Sequence, residues 1–326
     1  MAWLTGSLWV RAIVTAAVLG ILVSRLDLRG TWDAMVRLDA AKALLVLVLL
    51  AIDRAVMVWR WVILLRATGT RVALKSAVWI YLVSSFLGSF LPAGVGGDAA
   101  RAYTLARRTA QTGAAIASVA IDRILGLLSI VAIAGAGLLI AGPRHLANMQ
   151  VPLLVVCVTA VIGLGSLLWA DRWARVLVAG GRGSDRPGRL SASLARLAAA
   201  LGDYRGHRSA LAAVFVLSIG IQVLRIAQAW LLGTGIGINV PFSYYLLFMP
   251  VGLVALMLPI SLNGFGLPQG VIVWLLQPVG VRPADAFALS TLIVLTGLLA
   301  NVPGAWLYLR ARRSPPRAFT SGPQQV

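Results

Sequence analysis

The chain has 326 residues, of which 60% are hydrophobic and only 12% are charged. Soluble globular domains carry about 25% charged residues, so this composition excludes that class. Apolar runs of about 20 residues, long enough to cross a bilayer as a helix, recur along the chain, without the alternation of a membrane barrel. The sequence therefore predicts an all-α fold, a polytopic transmembrane helix bundle.

The formal net charge of +19 would suggest nucleic-acid binding in a soluble protein. In a membrane protein, Lys and Arg collect instead in cytoplasmic loops, where they also attract anionic lipid headgroups. Few aromatic residues are interleaved with the basic runs, so we predict no nucleic-acid partner. The single cysteine, Cys157, and the two histidines, His145 and His207, show no metal-ligand spacing, so we predict no metal or cofactor.

The predicted spans, separated mostly by basic segments, are in chain order 7–26, 43–65, 113–141, 151–170, 209–233, 242–258, 271–276 and 285–309. The first span is expected to be retained rather than cleaved as a signal peptide, because no small-residue cleavage site stands out. We predict a single integral membrane domain over 1–312 and a disordered cytoplasmic tail over 313–326.

The longest polar segment, 171–208, carries leucines at helical spacing between positions 190 and 201. This pattern predicts an amphipathic helix lying on the membrane surface. The alternative is a small soluble subdomain.

One interrupted segment stands out, running from Leu91 to Arg101 and reading LPAGVGGDAAR where an apolar helix should end. Pro92 lacks an N–H, and the glycines permit backbone angles that other residues avoid. Irregular backbone at membrane depth is tolerated only where protein buries it or where it lines a wet cavity. Asp98 and Arg101 lie one helical turn apart and can share a face. We predict a polar site at a broken helix; the alternative is a cytoplasmic loop.

Basic segments flank this break at 66–75 and 101–108. Because Lys and Arg mark cytoplasmic loops, both flanks are expected on the same side of the membrane. Residues 72–100 must then enter the membrane and return as a re-entrant hairpin. The count becomes eight spans and one re-entrant element in a bacterial-type inner membrane, with both termini cytoplasmic.

A second segment, Leu258 to Gly270, reads LPISLNGFGLPQG and echoes the first. Each segment begins with Leu-Pro at the end of an apolar helix and continues into a glycine pair followed by a polar residue. Interrupted helices at corresponding positions of two halves indicate a binding site at the interface of an internal repeat.

Together with Ile121-Asp122-Arg123, these segments resemble the transmembrane region of lysylphosphatidylglycerol synthases, a flippase-like membrane family. The resemblance runs from about residue 4 to residue 309 and implies a domain that binds or translocates lipid. Family members occur alone or fused to a soluble catalytic domain, for which the segments outside the membrane are too short here.

One departure from the family pattern concerns its second motif, which usually ends Gly-x-Arg-Glu. This chain has Leu267-Pro268-Gln269 at that place. If the family's Glu carries protons or pairs with a headgroup, this chain couples differently or recognises another lipid.

A lipid flippase needs a cation-lined polar cavity, because an unpaired charge in hydrocarbon is costly. Arg101 and Arg123 are candidates to hold a phosphate of an anionic membrane lipid, and Asp98 and Asp122 would pair with them when the site is empty. Backbone N–H groups at half-helix starts add anion contacts. The predicted headgroup-binding residues are Gly96, Gly97, Asp98, Arg101, Asp122, Arg123, Asn263, Gly264, Gly266 and Gln269.

The opposing interpretation makes Asp122-Arg123 and Asp53-Arg54 plain stabilising charges. Because adjacent residues do not face one another on a helix, each of these side chains is expected to have another partner.

Two other function classes stay open. A membrane enzyme acting on lipid phosphates would need a nucleophile, an acid/base pair or a metal site. The intramembrane aspartates lack Asp-x-Asp or Asp-x-x-Asp spacing and the spans contain no His, so we expect no catalysis. A non-catalytic partner of a separate lipid synthase or glycosyltransferase, or a homo-oligomer, is barely distinguished from a flippase by sequence. A nucleotide-binding P-loop is absent, so ATP use is not expected.

Overall fold

The computed structural model describes residues 27–90, 96–109, 111–141, 158, 202–257 and 266–313. Over these ranges the secondary structure is helical, and the chain is an all-α membrane bundle, as predicted. The α-helices are α1 (Leu28–Val36), α2 (Ala40–Ala67), α3 (Leu74–Gly88), α4 (Gly96–Thr109), α5 (Thr112–Ala141), α6 (Arg208–Gly235), α7 (Phe242–Met257), α8 (Leu267–Leu276), α9 (Pro283–Leu299) and α10 (Val302–Arg313). Short 3₁₀ turns lie at Tyr204–Gly206 and Gln277–Val279.

Three stretches of the described chain are long and apolar enough to cross a membrane: Thr112–Ile140, Arg208–Gly235 and Pro283–Ala311. The helix α2 is about as long as these stretches, with 28 residues, but it carries charged residues near its middle. The predicted span 7–26, the predicted span 151–170 apart from residue 158, the segment 171–201 and residues 314–326 of the tail lie outside the described residues. The predicted spans 242–258 and 271–276 are instead the two helices of a hairpin, and α8, with 10 residues, is too short to cross a bilayer. The rest of the count of eight spans stays a prediction.

Polar contacts fix the start of α2 against the end of α6. Asp39 caps α2 by accepting from the Lys42 N–H at 2.9 Å. The Asp39 N–H donates to the Gly235 carbonyl at 3.1 Å, and Lys42 Nζ donates to the Thr234 carbonyl at 3.0 Å. Because the first residues of α2 meet the last residues of α6, the two long helices run antiparallel.

The helices α3 and α4 form the hairpin predicted for 72–100, here called the first hairpin. They run antiparallel, since Arg101 lies over the Tyr81 ring at 5.1 Å and Arg108 lies over the Trp79 ring at 4.7 Å. The connecting residues 91–95 lie outside the described ranges. The hairpin itself is present; its entry into the membrane stays a prediction.

A second hairpin is formed by α7 and α8. The Tyr244 hydroxyl, near the start of α7, donates to the Leu275 carbonyl, near the end of α8, at 2.6 Å. These two helices flank the second glycine segment, and the core of that segment, 258–265, lies outside the described residues.

The helices repeat one pattern twice: a long helix, two short helices in a hairpin, and a long helix. The first half is α2 to α5, and the second half is α6 to α10. The first hairpin packs on α10, and the second hairpin packs on α5. Since α2 and α6 are antiparallel, the hairpins start from opposite ends of the bundle. The predicted internal repeat is therefore an inverted one.

Two glycines mark equivalent contacts in the halves. Gly137 and Gly304 are 167 positions apart in the sequence, as are Pro92 and Pro259 of the two interrupted segments. A Cβ atom on Gly137 would lie 2.7 Å from the Leu246 carbonyl oxygen, and one on Gly304 would overlap that of Leu82. Small residues let membrane helices approach this closely. Each contact joins the last long helix of one half to the hairpin of the other.

The predicted span 285–309 corresponds to the stretch Pro283–Ala311, which a turn at residues 300–301 divides into α9 and α10. Pro303 has no N–H to donate to the Leu299 carbonyl, so the helical ladder cannot continue there. At the interruption, Asn301 Nδ2 donates to Ser89 Oγ at 2.7 Å. The break in the last long helix therefore faces the inner end of the first hairpin.

Candidate functional site

Charged side chains from α2, α4 and α5 meet inside the bundle and form what we call the first charge cluster: Arg60, Asp98, Arg101, Asp122 and Arg123. Asp122 is 3% exposed and both Arg60 and Arg101 are 4% exposed. Asp122 lies ten residues after the start of α5, which corresponds to about 15 Å along the helix, or half of the roughly 30 Å hydrocarbon core. Arg60 lies seven residues before the end of α2, or about 10 Å along that helix, so the cluster lies within the bundle rather than at its end.

Asp122 is the centre of this cluster. One of its oxygens accepts from Arg101 at 3.0 Å, and the other lies 2.8 Å from Arg60 Nη2. Arg60 also donates to Ser218 Oγ on α6 at 2.9 Å. A buried carboxylate is tolerated only when cations and hydrogen bonds replace its hydration. Asp122 therefore links α2, α4 and α5, and Arg60 extends the link to α6.

Asp98 forms the more accessible end of the cluster. One of its oxygens lies 3.1 Å from Arg101 Nη2, and Arg123 Nε donates to the other. The Arg123 side chain is 41% exposed, against 5% for that of Arg101. Counting only these five described residues, three arginines and two aspartates, the formal net charge is +1.

The Arg101 guanidinium is also held between two aromatic rings. Its central carbon lies 5.2 Å from the Trp61 ring and 5.1 Å from the Tyr81 ring. Such contacts contribute about 2 kcal/mol each when they are desolvated. The buried Nε atoms of Arg60 and Arg101 make no hydrogen bond to any described residue. The site therefore combines closely held cations with buried N–H groups that donate to none of the described residues.

The predicted glycines of the first segment lie at the start of α4. Gly96 opens this helix, and a Cβ atom on Gly97 would lie 2.9 Å from the Ser84 carbonyl oxygen. The first N–H groups of a helix have no partner within the helix. Because Asp98 is the third residue of α4, the unpaired N–H groups at the start of α4 lie in the same helical turn as its carboxylate.

The predicted residues of the second segment occupy a different place. Gly266, with φ +98°, precedes α8, and its N–H donates to Oε1 of the fully buried Gln269. The Gln269 Nε2 makes no hydrogen bond within the described ranges. Asn263 and Gly264 lie outside those ranges. Among described residues, no ion pair or hydrogen bond joins Gly266 or Gln269 to the first charge cluster.

A second charge cluster, formed by Asp53, Arg54 and Arg225, was not among the predicted site residues. Arg225 donates to both Asp53 oxygens, at 2.9 and 3.5 Å, and Arg54 Nε lies 3.4 Å from Asp53. Arg60 and Arg225 were also missed, and the signal that would find them is an arginine within an apolar span. The expectation of non-adjacent partners is confirmed for Asp122, Arg123 and Asp53. It is wrong for Arg54, whose ion pair among the described residues is with its neighbour Asp53.

Tyr204, which lies outside the long helices, joins the end of α2 to the start of α6. The Tyr204 hydroxyl donates to the Leu64 carbonyl at 3.1 Å. Burial raises the pKa of Tyr204 to about 12, so the hydroxyl stays protonated and keeps this hydrogen bond. The contact holds the last turns of α2 next to the start of α6.

Comparison with known proteins agrees with this architecture. A family model described as the lysylphosphatidylglycerol synthase TM region matches residues 8–304, nearly the whole chain. No curated protein matches the chain. The membrane-spanning helices and the extent of the family match together make this a multi-pass membrane protein. The chain belongs to the lysylphosphatidylglycerol synthase TM region family.

Proposed function

We propose that this protein binds an anionic phospholipid, or another lipid-linked phosphate headgroup, and moves it across the bilayer without catalysing a reaction. The observation that carries the proposal is the first charge cluster, whose named residues sum to a net charge of +1 inside the bundle. A phosphate monoanion would neutralise this charge. Guanidinium groups are suited to phosphate because their N–H forks match its oxygens.

The start of α4 supplies a second attraction for an anion. Helix N-termini carry a partial positive charge and unpaired N–H donors. Asp98 occupies this position and also contacts Arg101 and Arg123. An incoming phosphate would replace Asp98 at Arg123, which is the most exposed member of the cluster.

The inverted repeat supports transport rather than simple binding. In transporters built from inverted repeats, the site lies at the repeat interface and opens alternately to the two sides. Here each hairpin packs on the last long helix of the other half, so a shift of one half would move both contacts. The family description also places the chain among membrane proteins connected with lipid metabolism.

Location and orientation form part of the same proposal. The outer turns of the first hairpin carry Lys75, Arg107 and Arg108. By the positive-inside rule this end of the bundle faces the cytoplasm, in the inner membrane of a bacterial-type cell with both termini cytoplasmic.

The test uses the full chain in liposomes with fluorescent phosphatidylglycerol, whose transfer is followed by chemical quenching from outside. Arg123→Gln should slow transfer about tenfold, which corresponds to about 1.4 kcal/mol for a lost charge-assisted contact. Arg107→Gln is the control, because it removes the same charge from an exposed position on α4. Equal rates for both variants and the wild type would overturn the site assignment.

A second candidate follows from the family description, which names the membrane region of a synthase. As a non-catalytic partner, the protein would not transfer lipid but would co-purify with a separate lipid synthase or glycosyltransferase. Mass spectrometry of co-purified lipid separates the two functions. Enrichment of one anionic lipid that is lost in Arg101→Ala/Arg123→Ala supports transport, whereas bulk lipid in both samples favours the partner function.

A further inference from the structure

The second charge cluster contains more positive charge than its aspartate requires. Asp53 is 2% exposed and is already matched by Arg225, which donates to both of its oxygens. Arg54 lies at 3.4 Å without hydrogen-bond geometry, and its buried Nε makes no hydrogen bond to a described residue. Two arginines and one aspartate leave a formal net charge of +1, equal to that of the first charge cluster.

The position of this surplus cation makes it costly for a purely structural role. Asp53 is the fourteenth of the 28 residues of α2, at the middle of a long helix. An arginine at the centre of a membrane helix costs about 2.5–3.5 kcal/mol on insertion, and such residues mark substrate pathways by default. One arginine would neutralise Asp53, so the fold alone does not explain the second.

The two clusters lie one after the other along α2. Arg60 is seven residues after Asp53, which places the clusters about 10 Å apart along the helix axis. Arg60 belongs to the first cluster and lies nearer the end of α2 that we assign to the cytoplasm. Among the described residues the Arg54 and Arg225 side chains are 22% and 27% exposed, so neither is fully enclosed.

We propose that Arg54 and Arg225 form a second anion station, which receives the phosphate of a lipid headgroup after the first charge cluster. This inference rests on the proposed transport function. Arg225 keeps Asp53 paired while the Arg54 fork turns to the phosphate. Two stations of equal net charge favour passage, because each binds strongly enough to admit the anion and weakly enough to release it.

The test counts bound anions by native mass spectrometry of the full chain in detergent. The probes are short-chain phosphatidylglycerol and, separately, inorganic phosphate. The wild type should bind two anions, and Arg54→Gln should bind one, because its cluster becomes neutral while Asp53 stays paired with Arg225. The matched control is Arg66→Gln, which removes the same charge from an exposed position on α2 and should still bind two.

The converse variant is Asp53→Asn, which raises the net charge of the second station to +2. It should bind the second anion at least fivefold more tightly and yet slow lipid transfer in liposomes. A general loss of folding would weaken binding and so would not produce this combination. Thermal melting of each variant checks that the bundle remains intact.

The outcomes separate this inference from the function on which it rests. The second station is overturned if Arg54→Gln still binds two anions. It is also overturned if the wild type binds only one anion and only Arg123→Gln loses it. Either result leaves the proposed transport function standing. No anion bound to the wild type overturns both. If inorganic phosphate gives the same counts as the lipid, phosphate alone is the recognised group; if only the lipid binds, the stations recognise the whole headgroup.

Discussion

Single side chains decide the electrostatic balance of the site. Asp122 is the carboxylate shared by Arg60 and Arg101, and both arginines are almost fully buried. Removing one partner of a buried ion pair is costly because the remaining charges cannot regain water. We therefore expect stability to depend far more on Asp122 than on charges at the ends of the bundle.

Asp122→Asn should lower the free energy of unfolding by about 3–5 kcal/mol, because Arg60 and Arg101 lose their common counter-charge. Thermal or detergent-induced unfolding of the purified protein measures this loss. Asp285→Asn is the control, since Asp285 pairs with the exposed Arg282 and Arg37. It should cost no more than about 1 kcal/mol. Equal effects of the two variants would contradict the central place of Asp122.

Gln269 is a neutral residue at the position for which the resemblance to the family implies Glu. Its amide oxygen accepts from the Gly266 N–H at the start of α8. A carboxylate oxygen would accept the same hydrogen bond, so the substitution preserves the helix start while removing a negative charge.

At the scale of elements, close glycine contacts determine how hairpins meet long helices. The Leu246 carbonyl lies four residues before Pro250, which has no N–H to donate to it. Gly137 of α5 approaches this oxygen directly, which leaves no room for a side chain. The proline in α7 and the glycine in α5 therefore form one complementary contact.

Gly137→Ala should destabilise the bundle by about 1–3 kcal/mol, because its Cβ atom would lie 2.7 Å from the Leu246 oxygen and force α5 and α7 apart. Gly135→Ala on the same helix is the control, since nothing lies within 4 Å of its added Cβ. Alanine is the better helix former, so Gly135→Ala should be neutral or slightly stabilising. Melting temperatures of the two variants make the comparison, and a fall in both would rule out a specific contact at Gly137.

At the scale of the whole molecule, the two halves are inverted relative to each other. The first hairpin starts where α2 ends, and the second starts where α6 ends. Because α2 and α6 run antiparallel, these starting points lie at opposite ends of the bundle.

Cysteines placed at Lys75 and Gln277 should therefore react from opposite sides. Both positions are exposed, and they lie at the open ends of the first and second hairpins. In a Cys157→Ser background, an impermeant maleimide should label Gln277→Cys in intact cells and Lys75→Cys only after permeabilisation. Labelling of both from the same side would contradict the inverted arrangement.

Part of this architecture can be predicted from the amino-acid sequence alone. The Pro92 break between basic flanks predicted the first hairpin, because prolines and charges have strong positional preferences in membranes. Asp98, Arg101, Asp122 and Arg123 were found because ionisable residues are rare in apolar helices.

Other features depend on packing that the order of residues does not reveal. Arg60 and Arg225 were missed because their partners lie on other helices, far away in sequence. The inversion of the halves follows from the antiparallel packing of α2 and α6. The break at Asn301 was missed although Pro303 signals it, because the apolar run continues through it.

The distance between the first charge cluster and the proposed second anion station determines how much of the membrane potential an anion crosses between them. A step of about 10 Å crosses roughly one third of the 30 Å core and a similar share of the membrane potential. A full crossing by one elementary charge corresponds to about 2.3 kcal/mol per 100 mV, so this step corresponds to about 0.8 kcal/mol. In a cell whose interior is negative, the potential would drive a monoanionic headgroup from the first charge cluster toward the second anion station. Export of the headgroup would then be favoured without nucleotide hydrolysis.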